Sequence, residues 1–189
     1  MSEHPMVERF KEKNPLFETL RKHNRPPEVQ AKSMIQGYIM ADWLLFTSVQ
    51  KKAGIQKAME LHDKAWTKLA AELFLDGQST LKIGKVEDLA TLSKMTRFMY
   101  DLRSMPIQTE KEDKDFFIGV IPICAFVHYS SELFDEKLGS DYWKSLSQVE
   151  KNQLEHLIDK AQLKGVEARW EKQMCAGDDC CRIVLKRIE

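Results

Sequence analysis

The hydrophobic pattern of this chain changes its period near Met105-Pro106, and that change constrains the fold most strongly. Before it, apolar residues recur every three or four positions, which is typical of amphipathic helices. After it, residues 116–127 are apolar on both faces, which favours a covered strand. The sequence therefore predicts an α+β fold: a helical N-terminal half, 1–105, packed on a small antiparallel sheet within 106–189.

The same pattern places the individual elements. Prolines at Asn14-Pro15 and Pro26-Pro27 predict two short N-terminal helices. Longer helices are predicted at 27–53, 55–75, 85–104 and 147–163. Strands are predicted at 107–111, 116–127, 166–174 and 182–188, the last two forming a terminal hairpin. We expect one domain spanning residues 1–189.

Composition narrows the classes of function. The chain has 29 basic and 29 acidic residues, so it lacks the positive charge of a nucleic-acid-binding protein. No segment resembles a signal peptide or a membrane span, and we expect a cytoplasmic protein that binds neither membrane nor nucleic acid. Homo-oligomerisation stays open. Four cysteines in a reducing compartment indicate chemistry, metal binding or packing before disulfides.

Two polar residues interrupt the apolar stripes of the first two long helices. Asp42 lies four residues after Tyr38 and four before Phe46. His62 has the same setting on the next helix, and a short connection at Gly54 predicts antiparallel packing that brings the two residues together. Two interpretations stay open: they satisfy each other structurally, or they line a pocket in which His62 is a base or a ligand.

Cys124 lies within the predicted central strand. An even spacing from His128 would place both side chains on one face of that strand. A thiolate with a basic neighbour is one interpretation of this pair. The other is that Cys124 is a small buried hydrophobe.

Three of the four cysteines fall in one short turn, residues 175–181, which we call the cysteine turn. Gly177 and Asp178 account for the turn itself, because glycine accepts positive φ and aspartate bonds to backbone donors. They do not account for the thiols of Cys175, Cys180 and Cys181. Those thiols would be explained by a role as a nucleophile, as metal ligands or as a redox pair.

The metal interpretation combines the turn with the sheet. Cys124, Cys175, Cys180 and Cys181 would hold zinc or an iron–sulfur cluster, although they lack paired Cys-x-x-Cys spacing. Buried packing is the alternative. Since Cys181 shares a strand face with Ile183, we expect Cys181, rather than Cys180, to face the interior.

The terminal motif Gly-Asp-Asp-Cys-Cys-Arg-Ile, residues 177–183, resembles the Gly-Asp-x-x-Cys signature of the L-2-amino-thiazoline-4-carboxylic acid hydrolase family. Residues 41–46 and 54–66 are similar to the helical portion of its uncharacterised bacterial and archaeal relatives. The same hairpin also occurs in vinyl-reductase-type domains that bind small molecules, some of which hold metal.

The resemblance implies hydrolysis of a carbon–nitrogen bond in a small cyclic thiazoline carboxylic acid. It places Cys181 at the signature cysteine, Asp178 at the signature acid and Cys124 at an earlier strand cysteine. Under this interpretation Cys181 or Cys124 is the nucleophile, and His62 or Asp178 transfers the proton. No cofactor is required.

Substrate-binding residues follow from the same hypothesis. Arg97 or Arg169 would hold the substrate carboxylate, and Asp42 and Trp66 would line the pocket. The alternative function is a non-catalytic sensor that binds a small molecule or a metal with the cysteine turn.

Overall fold

The computed structural model describes residues 27–134 and 137–188. The chain divides into two compact units, Met1–Met34 and Ile35–Glu189. Of the first unit, only residues 27–34 are described, and they are helical. The two short helices predicted before residue 27 lie outside the described residues.

Five α-helices are described: α1 (Pro27–Ala53), α2 (Ile55–Thr80), α3 (Leu89–Asp101), α4 (Ala125–Leu133) and α5 (Asp141–Ala161). Helix α3 begins later than its apolar pattern predicted, because the Asp88 side chain accepts from the amide of Thr91 at 2.7 Å and caps it. Over the described ranges, none of these helices has the length and apolar content to cross a bilayer.

The sheet contains β1 (Gln108–Glu112), β2 (Phe116–Ile121), β3 (Val166–Lys172) and β4 (Cys181–Arg187), in the spatial order β1-β2-β4-β3. All three pairings are antiparallel. The predicted α+β class is therefore confirmed, as is the terminal hairpin of β3 and β4 around the cysteine turn.

The main core lies between the helices and the inner face of the two central strands. Phe117 and Ile121 of β2, with Ile183 and Leu185 of β4, are almost completely buried, and α3 packs against both strands. Gly119 lies between them on β2, where a Cβ atom would come within 2.5 Å of Ile107 Cγ2. Glycine is therefore required for this close approach.

Helix α2 packs along α5 through a stripe repeated every three or four residues. Its buried members are Ala58, His62, Trp66, Ala70, Phe74 and Gly77. The turn from α1 to α2 consists of Gly54, whose φ of 85° is in the left-handed region. This reversal brings the polar residues of the two stripes together.

The predicted strand at 116–127 is wrong beyond Ile121. The strand ends there, and helix α4 begins at Ala125 with Cys124 as its N-cap. Pro122 has no amide hydrogen for a ladder, and a short apolar run also suits a buried helix. The proposed shared strand face of Cys124 and His128 is therefore wrong: Cys124 is buried and His128 is exposed.

Candidate functional site

Asp42 and His62 meet in the interior as predicted. Nε2 of His62 lies 3.0 Å from Oδ2 of Asp42. The same carboxylate accepts from Trp66 Nε1 at 3.1 Å and from the Tyr142 hydroxyl at 2.9 Å. Nδ1 of His62 lies 2.8 Å from Oγ of Ser145. The Asp42 carboxylate thus contacts three side chains, and His62, one of the three, contacts Ser145 in turn.

The donors around Asp42 fix the protons of this cluster. A carboxylate only accepts, so we assign the Nε2 hydrogen of His62 to Asp42, together with the hydrogens of Trp66 and Tyr142. Burial and the Asp42 charge raise the pKa of Tyr142, so this hydroxyl keeps its proton. The remaining ring nitrogen of His62, Nδ1, shares a hydrogen bond with the Ser145 hydroxyl.

Ser145, His62 and Asp42 are hydrogen-bonded in the order of a catalytic triad. Whether they could act as one depends on whether a substrate can reach Ser145. Ser145 is 1% exposed and His62 is 6% exposed. A nucleophile must reach its substrate. The arrangement therefore favours the structural interpretation, in which these residues tie α1, α2 and α5 together.

A second buried polar cluster continues from Trp66. Gln153 Nε2 donates to the Trp66 carbonyl at 3.1 Å and Gln153 Oε1 accepts from Arg103 at 2.5 Å. Arg103 also pairs with Glu150 at 3.3 Å, and the Tyr100 hydroxyl donates to Glu150 at 2.6 Å. Both terminal nitrogens of Arg103 thus have acceptors and Glu150 has two donors, whereas the buried Nε of Arg103 has no hydrogen-bond partner within the described residues.

Gln173, which precedes the cysteine turn, forms two hydrogen bonds to α5. Its side chain accepts from the Ser147 hydroxyl at 2.8 Å and donates to the Ser147 carbonyl at 3.1 Å. The predicted acid, Asp178, is exposed and accepts from the Gln173 amide at 2.7 Å. Gly177 has a φ of 105°. Asp178 thus closes the turn, as a turn aspartate does.

Four sulfur-containing residues contact one another in sequence between this turn and the start of α4, and we call Met105, Cys124, Met174 and Cys181 the sulfur cluster. The Cys124 thiol lies 3.7 Å from Met105 Sδ. The Cys124 amide donates to Met174 Sδ at 3.3 Å, and the Met174 amide donates to Cys181 Sγ at 3.2 Å. Met174 thus bonds to both cysteines.

The thiols border a small internal space of about 20 Å³, which is large enough for one water molecule. Hydrogen bonding from Cys181 lowers the pKa of Cys124, and the same bond together with burial raises the pKa of Cys181. Cys175 borders this space too, and burial raises its pKa to about 12. Cys124 is thus the first of the three to ionise.

Cys180 points elsewhere and is only partly buried, so the prediction that Cys181 faces the interior is confirmed. The four cysteines named as metal ligands do not form one site. Within residues 27–134 and 137–188, no group of three or more His, Cys, Asp or Glu residues could hold a metal ion.

Both predicted carboxylate anchors lie at the surface in ion pairs. Arg97 bonds to Glu112 at 2.9 Å on one side of the sheet. Arg169 bonds to Glu171 at 2.8 Å on β3. In the part of the chain described, no hydrogen bond or ion pair joins either arginine to the sulfur cluster or to His62.

An open groove of about 360 Å³ lies where β2 leads into α4. Its apolar lining comes from Ile35, Pro106, Pro122, Ile123, Ala125 and Tyr129, and its polar groups come from Ser104, Gln108 and His128. A volume above about 300 Å³ with few polar groups is typical of small-molecule sites.

The groove and the internal space lie on two sides of the same backbone segments. Ser104 and Pro106 line the groove, whereas Met105 between them lines the internal space. Likewise Ile123 lines the groove and Cys124 the internal space. Met105 contacts the Cys124 thiol at the internal space, while its two chain neighbours line the groove.

Sequence reasoning missed Tyr142, Ser145, Glu150 and Arg103. The helix that carries three of them begins at Asp141, earlier than predicted, so Tyr142 and Ser145 fell outside it. Glu150 had a visible signal: it lies four residues before Leu154 on the buried face of that helix. The groove had none, because it depends on how separate segments meet.

Comparisons with known proteins identify proteins of similar fold but do not identify a family for this chain. No protein-family model and no curated protein sequence matches the chain. Subunit 3 of a trafficking protein particle complex from Naegleria fowleri, covalently bound to palmitic acid, is similar in structure at a TM-score of 0.57. The identity is 13%, over 84% of this chain and 97% of that one. This likeness shows a shared α+β fold.

A second solved structure is less similar. It is the phenol-responsive sensory domain of the transcription activator PoxR with phenol, at a TM-score of 0.49 and 13% identity. The match covers 79% of this chain and 73% of that domain.

Proposed function

We propose that this protein is a binding module for a small, mostly apolar molecule, which occupies the groove between the end of β2 and α4. The observation that carries the proposal is the groove itself: about 360 Å³, open to solvent and mainly apolar. Ile123 is 59% exposed there, although it is a large aliphatic residue. Covering it with a ligand would remove apolar surface from water.

The polar rim limits the ligand chemistry. Ser104 and Gln108 offer hydroxyl and amide groups, and His128 offers an imidazole. These groups suit a ligand with one hydroxyl or carboxyl group at the end of an apolar body. Palmitic acid, which is covalently bound to the trafficking-complex subunit of similar fold, has such an apolar body with one carboxyl end.

A binding titration tests the proposal. The probe is 1-anilinonaphthalene-8-sulfonate, an apolar fluorescent anion, displaced by palmitic acid or by phenol. Ile123→Asp should lower the affinity about tenfold or more, because a carboxylate then occupies the apolar lining and repels the anionic probe. The matched control is Leu75→Asp on α2, where the leucine is 58% exposed and lies outside the groove. Equal affinities in the two variants would contradict the proposal.

Ring hydrolysis is the second candidate function, and one observation favours it: the lowered pKa of Cys124, which favours the reactive thiolate. Against it, within the described residues His62 hydrogen-bonds to Asp42, Ser145 and Trp66, and Asp178 to the Gln173 amide, so neither contacts Cys124 or Cys181 in this way. Turnover of 2-amino-thiazoline-4-carboxylic acid that is lost in Cys124→Ala or Cys181→Ala, and kept in Cys180→Ala, would support the hydrolase. No turnover by the unaltered protein would exclude it.

A further inference from the structure

The sulfur cluster joins two thiols from separate parts of the chain. Cys124 precedes α4, and Cys181 begins β4. Ile121 pairs with Cys181 in the sheet, so the chain turns back within three residues to bring Cys124 towards the same strand. Both thiols are buried and border one internal space of about 20 Å³, so only an oxidant close to water in size can reach them, in contrast to the larger substrate that a triad of Ser145 and His62 would need.

The backbone around the pair is held by one residue. Met174 accepts from the amide of Cys124 and donates its own amide to Cys181 Sγ. These two bonds, at 3.3 Å and 3.2 Å, fix the positions of both cysteines relative to the turn. The two side chains are also close enough to hydrogen-bond to each other, and two thiols in contact need little backbone movement to bridge.

We propose that Cys124 and Cys181 are a peroxide-sensitive modification site that forms a reversible disulfide. The inference does not depend on the proposed ligand. It uses residues that line the internal space rather than the groove, and its test involves no ligand.

The two cysteines have different roles in the step. Cys124 is the N-cap of α4, and although its side chain accepts no capping hydrogen bond, the positive end of the helix favours a thiolate there. The nearby amides of Val127 and Phe126 contribute to lowering the pKa of Cys124. Cys124 therefore reacts first, and Cys181 keeps its proton until it attacks.

The chemistry balances with hydrogen peroxide as the oxidant. The Cys124 thiolate attacks one peroxide oxygen, which breaks the oxygen–oxygen bond, gives a sulfenic acid and releases hydroxide. The Cys181 sulfur then attacks the Cys124 sulfur, which forms the disulfide and releases hydroxide from the sulfenic acid. The Cys181 proton and the proton first lost by Cys124 convert the two hydroxides to water. Two thiols and one peroxide thus give one disulfide and two waters.

Cys175 and Cys180 are the competitors in the same turn. Burial raises the pKa of Cys175 to about 12, so it stays a thiol at neutral pH. Cys180 is partly exposed and does not border the internal space. Neither is expected in the disulfide.

Mass spectrometry tests this directly. Reduced protein is treated with hydrogen peroxide, denatured, alkylated and digested. The expected product is a peptide pair linking Cys124 to Cys181, two hydrogens lighter than the separate peptides, with Cys175 and Cys180 alkylated. Dithiothreitol should restore both free thiols. Full alkylation of Cys124 and Cys181, or a dominant link to Cys175 or Cys180, would overturn the proposal.

Two variants separate the roles. Cys180→Ala, the matched control, should form the link as the unaltered protein does. Cys181→Ala should lose the link and accumulate a sulfenic acid on Cys124, detected as a dimedone adduct. An adduct that instead appears first on Cys175 or Cys180 would overturn the assignment of Cys124 as the attacking thiol. If Cys181→Ala does not fold, the unaltered protein and Cys180→Ala still decide the link.

Discussion

Nε2 of His62 lies 3.0 Å from Oδ2 of Asp42, across two helices that reverse direction at Gly54. The pair is enclosed, with side-chain exposures of 4% and 13%. Trp66 and Tyr142 also donate hydrogen bonds to Asp42, and Ser145 hydrogen-bonds to the other ring nitrogen of His62. The buried carboxylate of Asp42 with its three donors therefore stabilises the packing of α1 against α2 and α5.

Asp42→Ala should therefore destabilise the protein by about 3 kcal/mol, because it removes the buried carboxylate that accepts hydrogen bonds from His62, Trp66 and Tyr142. Urea unfolding measures the loss. Asp76→Ala, at an exposed position on α2, is the control and should stay within about 0.5 kcal/mol of the unaltered protein. Equal stability of the two variants would show that the Asp42 network contributes nothing.

The buried ion pair of Arg103 and Glu150 should show strong coupling. Arg103→Ala and Glu150→Ala are each expected to cost about 3 kcal/mol, and the double variant less than their sum by about 2 kcal/mol, since either change alone leaves a buried charge unpaired. The exposed pair Lys85 and Glu87, at 3.8 Å, is the control cycle. Its coupling should be below about 1 kcal/mol.

Stability should fall as the pH rises above the ordinary thiol pKa. Burial raises the pKa of Cys175 to about 12, so the folded thiol keeps its proton where the unfolded thiol has lost it. Its contribution is complete below about pH 8.5 and decreases between there and pH 12, by roughly 2 kcal/mol at pH 10.

Urea midpoints at pH 8 and pH 10 check this prediction. Cys175→Ala should reduce the fall, whereas Cys180→Ala should leave most of it, because Cys180 is only partly buried. A fall that is identical in the unaltered protein and in Cys175→Ala would contradict the assignment.

Two glycine substitutions should have opposite effects. Gly119→Ala places a Cβ 2.5 Å from Ile107 Cγ2 and 2.9 Å from Phe117 Cζ, and should destabilise the protein by about 2 kcal/mol. Gly37→Ala meets nothing within 4 Å on α1 and should stabilise it by about 0.5–1 kcal/mol through helix propensity. Thermal unfolding of both variants gives the comparison, and a loss of the same size in both would contradict it.

The sequence identified the Asp42 and His62 pair because the helical period is a local property. Each residue interrupts a stripe whose phase can be counted along the chain. Glu150 obeys the same rule and could have been found by it. The terminal hairpin was predictable for a related reason, since turn residues and alternating strands are both local signals.

The segment around Cys124 shows the opposite case. Residues 116–127 are uniformly apolar, so their period does not distinguish strand from helix. The backbone changes from β2 to α4 within them. Because of this change, Cys124 does not share a strand face with His128, and its thiol contacts Cys181 instead.

By itself, the sequence determined the α+β class, the antiparallel terminal hairpin, the meeting of Asp42 with His62 and the inward direction of Cys181. These follow from periods and turns that act over a few residues. Only the tertiary structure decided the groove, the sulfur cluster and the buried ion pair of Arg103 with Glu150. Each of those joins segments far apart in the chain, and such contacts depend on how whole elements pack rather than on the order of neighbouring residues.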